Sequence, residues 1–363
     1  MEYENKKFKE NFEILDNHCH VCFSLPIDET LEGFRKYTTE LGISKIGILS
    51  CPATDHAAKE VDVLENLEAL YIKDKLGIPV YAYASFMHHT DDEKKYELLG
   101  KTMLEMGFDG FKSLDMHPRN RKKVGKGLNH PSFKLFFDNL EETETPMVCH
   151  VGDPATSWDV EDAKRRGLPL SRIYDATFPT LQQLYDEMED LFKKHPKAKI
   201  ILAHFYFKSD NYEDIVRLME TYPSICLDFT PGSEMFRGFS KNMELWREFM
   251  IKYQDRLVLG SDLYGAGYGM SRHKLVRAYF EGTEPFGIRD DEDIVIPMNL
   301  PDEVLEKIYS KNIIRLIGHE PNKINYKLAC DYCKYVEENN IDELDEIGKE
   351  NLKVITDYFK SKI

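Results

Sequence analysis

The chain has 363 residues, 42% of them hydrophobic and 31% charged, which is material for one large barrel or two ordinary domains. Its 48 Lys and Arg stand against 64 Asp and Glu, a net charge of -16, and duplex binding needs clustered basic residues, so nucleic acid is excluded as a main partner. No apolar run approaches the roughly 20 residues that span a bilayer, and the polar start MEYENKKFKENF lacks a signal peptide's apolar stretch, so the expectation is a soluble, cytoplasmic protein without membrane contact.

Taken in chain order, short apolar and β-branched runs predict buried strands at Phe12–Asp16, Lys45–Ser50, Val80–Ser85, Gly110–Leu114, Met147–His150, Ile200–His204, Ile225–Asp228 and Leu257–Ser261. Helical spacing fills the intervals: Thr30–Leu41, Val61–Leu76, Glu93–Met106, Thr180–Lys194, Tyr212–Thr221 and Lys241–Tyr253. Eight strands with helical segments between them predict an α/β chain folded as a (β/α)8 TIM barrel. A doubly wound sheet shares that alternation; the polar residues at the strand ends favour the barrel. Two connections are long, 116–130 and 151–174, and in a barrel both lie on the C-terminal face, where active sites are assembled. Pro301–Leu316 reads as a helix with Gly318 beyond its end. The expected organisation is a barrel over 1–318 and a helical extension over 319–363, about two helices packed on it.

Seven cysteines in so long a chain do not read as a disulfide framework. Cys330 and Cys333 form a CxxC with no second CxxC or nearby histidine, and read as two thiols near one helix face.

The strand ends carry the chemistry. The first runs into Asp16-Asn17-His18-Cys19-His20, and two histidines at i and i+2 point to one side of an extended chain. The fifth ends in His150, the sixth in His204 and the eighth in Gly260-Ser261-Asp262. Barrel strands converge at their C-terminal ends, so these distant residues become neighbours. Three or four nitrogen and oxygen ligands with an open position for water make a catalytic metal site.

DNHCH at 16–20, GFK at 110–112, CH at 149–150, AH at 203–204, GSD at 260–262 and LEKIYSKNIIRLIG at 305–318 together resemble the amidohydrolase superfamily, and within it the amidohydrolase-related family of metal-dependent hydrolases and decarboxylases. The resemblance implies that His18, His20 and His150 bind a metal. It implies that Asp262 is a ligand or close neighbour that takes the proton from metal-bound water. His204 would polarise the substrate or stabilise developing charge. Asp16 reads as a supporting residue, and Cys19 points away from the ion.

Lys112 has three readings: a carboxylated lysine bridging two metals, a lysine facing substrate, or an ordinary lysine with its head in water. Residues 117–126 (HPRNRKKVGK) hold five basic residues and read as a solvated loop, from which Arg119 or Arg121 could meet a substrate carboxylate. Arg237 and Arg272 are similar candidates. Gly265, Gly267 and Gly269 match no full phosphate fingerprint and read as a flexible loop. Phe86, Trp158, Phe205, Tyr206, Phe207 and Tyr264 gather near the same loops and could line a pocket.

The expected function is a metal-dependent hydrolase that uses metal-activated water on a small, anionic amide, lactone or ester. Zinc is the default ion, one per chain, with manganese or iron as alternatives and a second metal on carboxylated Lys112 as the dinuclear variant. A non-oxidative decarboxylase of an aromatic or cyclic acid is the alternative enzyme, and an inactive ligand-binding barrel the alternative outside enzymes. A homo-oligomer is compatible with the sequence.

Overall fold

The computed structural model describes residues 2–21, 25–51, 63–85, 90–165, 169–265, 269–288 and 294–363. Eight strands pair in parallel and in sequence order: β1 (Leu15–His20), β2 (Lys45–Leu49), β3 (Val80–Ala84), β4 (Gly110–Met116), β5 (Met147–Val151), β6 (Ile200–Leu202), β7 (Cys226–Asp228) and β8 (Leu257–Val258). The next strand, β9 (Leu263–Tyr264), pairs with β1. β8 and β9 are two halves of one stretch, so the sheet closes on itself through Leu257–Tyr264 as a (β/α)8 barrel. Between the halves, Asn17 N donates to Leu259 O at 3.1 Å and Asp262 N to His18 O at 2.8 Å. Gly260 permits this approach, because a Cβ there would stand 2.7 Å from His18 Cβ and 2.8 Å from Thr230 Oγ1.

The helices of the barrel are α1 (Ile27–Leu41), α2 (Val63–Lys75), α3 (Glu93–Met106), α4 (Pro118–Val124), α5 (Lys134–Thr143), α6 (Val160–Arg165), α7 (Leu181–Lys194), α8 (Tyr212–Thr221), α9 (Ser233–Ser240), α10 (Met243–Lys252) and α11 (Met270–Glu281). They form where apolar residues recur at helical spacing and a cap starts the turn. In α7, for example, Leu184, Met188 and Leu191 face the sheet, and Thr180 with Gln183 forms a capping box. A short antiparallel hairpin, β10 (Phe286–Gly287) and β11 (Ile294–Val295), follows α11 and was not signalled by alternation in the sequence.

Two apolar clusters result. The larger lies between sheet and helices. The smaller fills the barrel axis with Leu15, Leu49, Tyr81, Tyr83, Val148, Ile201 and Val258. Ile313 and Ile314 join it from α13 (Asn312–Ile317), which continues α12 (Asp302–Glu306) through a π turn at Lys307–Lys311.

Three boundaries differ from expectation. β1 starts at Leu15 and runs through His20 instead of ending at Asp16. Leu15 belongs to the axial cluster but Cys19 to the outer one, and strict alternation would put both on one face. The ladder with β2 shifts register between Asp16 and Cys19, and this bulge turns His18 and His20 inward. β6 stops at Leu202 because a left-handed turn begins there. The basic stretch 117–126 is α4, not a loop: Pro118 occupies the first turn and Gly125 caps the end in the left-handed region.

Beyond Gly318, α14 (Tyr326–Asn340) and α15 (Glu346–Lys360) pack against each other and against α2. Cys333 is buried and Cys330 half-buried on α14, both as free thiols. Asn351 of α15 ties this segment to the barrel. Its Oδ1 accepts from Ile27 N at 2.8 Å, and its Nδ2 donates to Leu25 O at 3.1 Å and to the buried Glu68 Oε1 at 2.8 Å. Among the described residues, no helix is long and apolar enough to cross a membrane.

Burial pushes the Glu68 carboxyl from 4.5 up to about 7, against the smaller opposing effect of Asn351. The folded chain therefore keeps a proton that the unfolded chain has released. This contribution to stability is complete below pH 4.5 and is lost as pH rises through about 7. The expected loss is about 3 kcal/mol. Glu68→Gln keeps the acceptor for Asn351 and should remove that slope, raising the melting midpoint above wild type at pH 8. An identical pH dependence in both proteins would show that Glu68 is not its source.

Candidate active site

The bulge in β1 delivers His18 and His20 to the C-terminal mouth of the barrel, where both rings are held by Nδ1. His18 Nδ1 lies 2.7 Å from Asp228 Oδ2, at the end of β7, and 2.8 Å from Thr230 Oγ1. His20 Nδ1 donates to the Leu49 carbonyl at 2.8 Å. Committing Nδ1 leaves Nε2 of each ring as the ligating atom, which is how protein groups orient metal-binding imidazoles. Asp262 Oδ1 stands 3.3 Å from His20 Nε2 and 4.0 Å from His18 Nε2.

The His20 arrangement places two acceptors face to face. With Nδ1 donating, a neutral His20 presents a lone pair to a carboxylate oxygen, and something positive must lie between them. Without an ion it is a proton. Burial lowers the His20 imidazole, but Cys51 and Asp262 outweigh it and raise the group to about 10. Burial likewise opposes ionisation of Asp262, and the bond to His20 overcomes it, holding this carboxyl well below the usual range. One atom each from His18, His20 and Asp262 lies within 4.8 Å of the others, so this donor set fits a divalent cation.

Lys112 is 1% exposed, with Nζ 3.1 Å from His18 Nε2. A lysine with its head in water is ruled out by that burial. The ammonium competes for the His18 lone pair, so it must withdraw or change chemically when His18 holds an ion. Burial, then Lys112, lowers the His18 imidazole well below its ordinary value.

His204 enters the site from an unusual backbone. His204, Phe205, Tyr206 and Phe207 all have φ between 51° and 57°. A left-handed turn of L-residues costs about 1–2 kcal/mol per residue, so packing must enforce it. Phe205 and Tyr206 are driven into the core, while His204 faces the axis. Its main-chain N donates to Asp228 Oδ1 at 2.8 Å, and its Nδ1 donates to Thr230 O at 3.2 Å. Its Nε2 then carries a lone pair and lies 3.1 Å from His150 Nδ1. Burial, helped by His150, lowers His204 to about 4, so its ring is neutral at neutral pH.

His150 was expected beside His18 and His20; the fold places it one ring further, across His204. Its Nε2 lies 3.0 Å from Gly152 O and 3.9 Å from Asp153 Oδ1. Asp153 also faces His117 Nε2 at 3.4 Å and accepts from the Tyr174 hydroxyl. His150, His117 and Asp153 thus form a second group beside the first.

The arginine expectations fare unevenly. Arg272 does not wait for a substrate, because it donates to Asp262 Oδ2 at 2.5 Å and Asp262 O at 2.9 Å. Arg119 donates to Leu170 O at 2.8 Å, and Arg121 makes a bidentate pair with Glu187 of α7 at 2.7 and 2.8 Å. Within the basic run, helix formation turned Arg121 toward an acid of the neighbouring α7. Arg237 lies half-buried on α9, acting on the half-buried Glu234, which also senses Asp153. Tyr264 packs its ring on His20, 5.1 Å between centroids, and Phe207 stacks on His204 at 5.1 Å. Trp158 lies against Tyr174 at 4.7 Å. Phe86 and Gly267 fall outside the described residues.

Sequence reasoning missed Asp228, Thr230 and Asp153. Asp228 closed a predicted strand with an acid, the same signal as the histidines, but its partners could not be read. Asp16, by contrast, supports the site as expected. It is fully buried and accepts from His18 N at 3.2 Å, Ser261 N at 3.0 Å and the Tyr37 hydroxyl.

The profile of a family described as amidohydrolase matches residues 68–318. No curated protein matches the sequence. Among solved structures, 4-oxalomesaconate hydratase from Rhodopseudomonas palustris is 14% identical, with 90% of this chain and 98% of that one covered at a TM-score of 0.53. A dihydroxybenzoic acid decarboxylase from Polaromonas with bound manganese and an inhibitor is 15% identical, covering 84% and 97%, at 0.53. A 2,6-dihydroxybenzoate decarboxylase complexed with 2,6-dihydroxybenzoate is 14% identical, covering 85% and 100%, at 0.51. These likenesses show the fold.

Proposed function

The chain belongs to the amidohydrolase family, and from that premise we propose that it is a metal-dependent hydrolase of a small, anionic amide, lactone or ester. One observation carries the reading: His18 Nε2, His20 Nε2 and Asp262 Oδ1 face a common point while both Nδ1 atoms are committed elsewhere. These three residues would hold one divalent ion, zinc by default, with manganese or iron as alternatives. When bound, the ion would supply Lewis acidity and an acidified water.

The chain's own groups do the rest. Asp262, kept ionised by the bond to His20 and positioned by Arg272, is the carboxylate offered as proton acceptor. His204 is neutral, and its Nδ1 proton is spent on Thr230 O, so it acts as a fixed dipole near the substrate and not as a cationic acid. Lys112, moved off His18, brings a positive charge suited to a substrate carboxylate. Arg237, at the rim, is the second candidate for that anion, while Arg119 is held on the outer loop by Leu170 O.

The flat rings of Tyr264 and Phe207 beside the imidazoles favour a second reading, a non-oxidative decarboxylase of an aromatic or cyclic acid. Isotopes separate the two. In labelled water, a panel of small amides, lactones and esters should yield product carrying solvent oxygen-18. Carbon dioxide release with solvent deuterium at carbon, and no oxygen-18 uptake, would replace the hydrolase by the decarboxylase.

A further inference from the structure

At the opposite end of the barrel, where α5 and α7 finish, three side chains face one another. Asp138 and Glu141 are three residues apart on α5 and so share a face. His195 caps the C-terminus of α7, with φ -127° and ψ 68°, and its ring packs on Phe137 at 5.3 Å between centroids. Only 6% of His195 is exposed, yet its buried Nδ1 finds no hydrogen-bond partner among the described residues.

That nitrogen is 3.6 Å from Asp138 Oδ1 and 3.8 Å from Glu141 Oε2, too far for hydrogen bonds. Two ligands on a tetrahedral ion with bonds of about 2.0–2.2 Å are separated by about 3.4 Å, close to these distances. The carboxylates are already oriented. Asp138 Oδ2 accepts from Lys134 Nζ at 2.5 Å, and Glu141 Oε1 accepts from Lys197 N at 2.7 Å, so each turns its other oxygen to the ring. Burial lowers the His195 imidazole against the pull of both acids, which favours the neutral, ligating form. The C-termini of α5 and α7 add negative potential at the same place.

We infer that His195 Nδ1, Asp138 Oδ1 and Glu141 Oε2 form a divalent-cation site of the zinc type, with water completing the coordination, that clamps the end of α7 to the end of α5. Asp138 is 42% exposed, which leaves room for that water. The role is stabilising, since this end of the barrel is remote from the strand ends that carry the candidate active site. Nothing in it depends on the hydrolase reading.

The test uses the full chain, stripped with chelator and returned to zinc by equilibrium dialysis, with His195→Gln and Glu141→Gln as separate variants. Both leave His18, His20 and Asp262 intact. Wild type should take up about one zinc more per chain than either variant. The rise in melting midpoint on adding zinc should be smaller in both variants, and the stripped proteins should melt alike. Should His195→Gln fail to fold, Glu141→Gln alone decides, because that side chain is partly exposed. Equal zinc uptake and equal zinc-dependent stabilisation in wild type and variants would overturn the site. A protonated His195 paired with the two acids would instead change the pH dependence of the stripped protein without changing zinc uptake, and would overturn it equally.

Discussion

His20→Ala is expected to leave a folded protein that retains little of the divalent metal found in wild type and has no measurable turnover. His20 Nε2 and Asp262 Oδ1 face each other at 3.3 Å, two acceptors that need a positive charge between them. Alanine removes one of so few ligands, and the remaining pair, His18 and Asp262, is 4.0 Å apart with Lys112 at 3.1 Å from His18 ready to take its lone pair. The loss in affinity should therefore exceed the 10–100-fold typical of disturbing a ligand's support, roughly the scale set by second partners of metal-bound histidine. Elemental analysis of protein purified without chelator measures it, and a melting curve checks the fold. Exhaustive chelation of wild type should copy the variant, and zinc or manganese should reverse it. Full turnover in demonstrably metal-free protein would remove the ion from the mechanism.

Asp262→Asn is expected to lower the maximal rate by about 10²–10⁴-fold, the span attributed to a positioned proton acceptor. Asparagine is nearly isosteric, and its carbonyl can still accept from Arg272, so the loop should hold. Its amide cannot take a proton. Turned toward His20, it would present a donor to Nε2 where wild type presents a carboxylate. The His20 imidazole of the metal-free protein should then titrate well below about 10, a shift that NMR of the ring can follow without any substrate. A variant within about tenfold of the wild-type rate would show that Asp262 is not the base. A lost rate with an unmoved His20 would show that the two side chains do not meet as described.

Lys112 illustrates how far side-chain chemistry depends on depth. In sequence it could bridge, face substrate or extend into water, and nothing in GFKSL chooses. At 1% exposure and 3.1 Å from His18 Nε2, the solvated reading disappears. Arg272 illustrates the converse. Its residue type suits a substrate carboxylate, but an internal carboxylate reached it first at 2.5 Å. A charged group in a protein mouth pairs with whatever opposite charge the fold brings nearest, and that distance is not written in local sequence.

By itself, the sequence determined the alternation of strand and helix, because buried parallel strands and amphipathic helices each carry a local period, and its polar strand ends favoured the barrel over a doubly wound sheet. It also determined that His18, His20, His204 and Asp262 would gather at one mouth, since strand ends of a closed sheet converge whatever their side chains. Three things were decided only by tertiary structure. The bulge between Asp16 and Cys19 selects the face of both histidines, and it arises from the register with β2, a non-local pairing. The left-handed turn at His204–Phe207 is unfavourable for every residue in it and exists only because the core accepts Phe205 and Tyr206. The proton positions follow from partners distant in sequence: Leu49 O fixes His20, Asp228 fixes His18, and Thr230 O fixes His204. Local periodicity sets where elements form, whereas ligand orientation is set by contacts between residues tens to hundreds of positions apart.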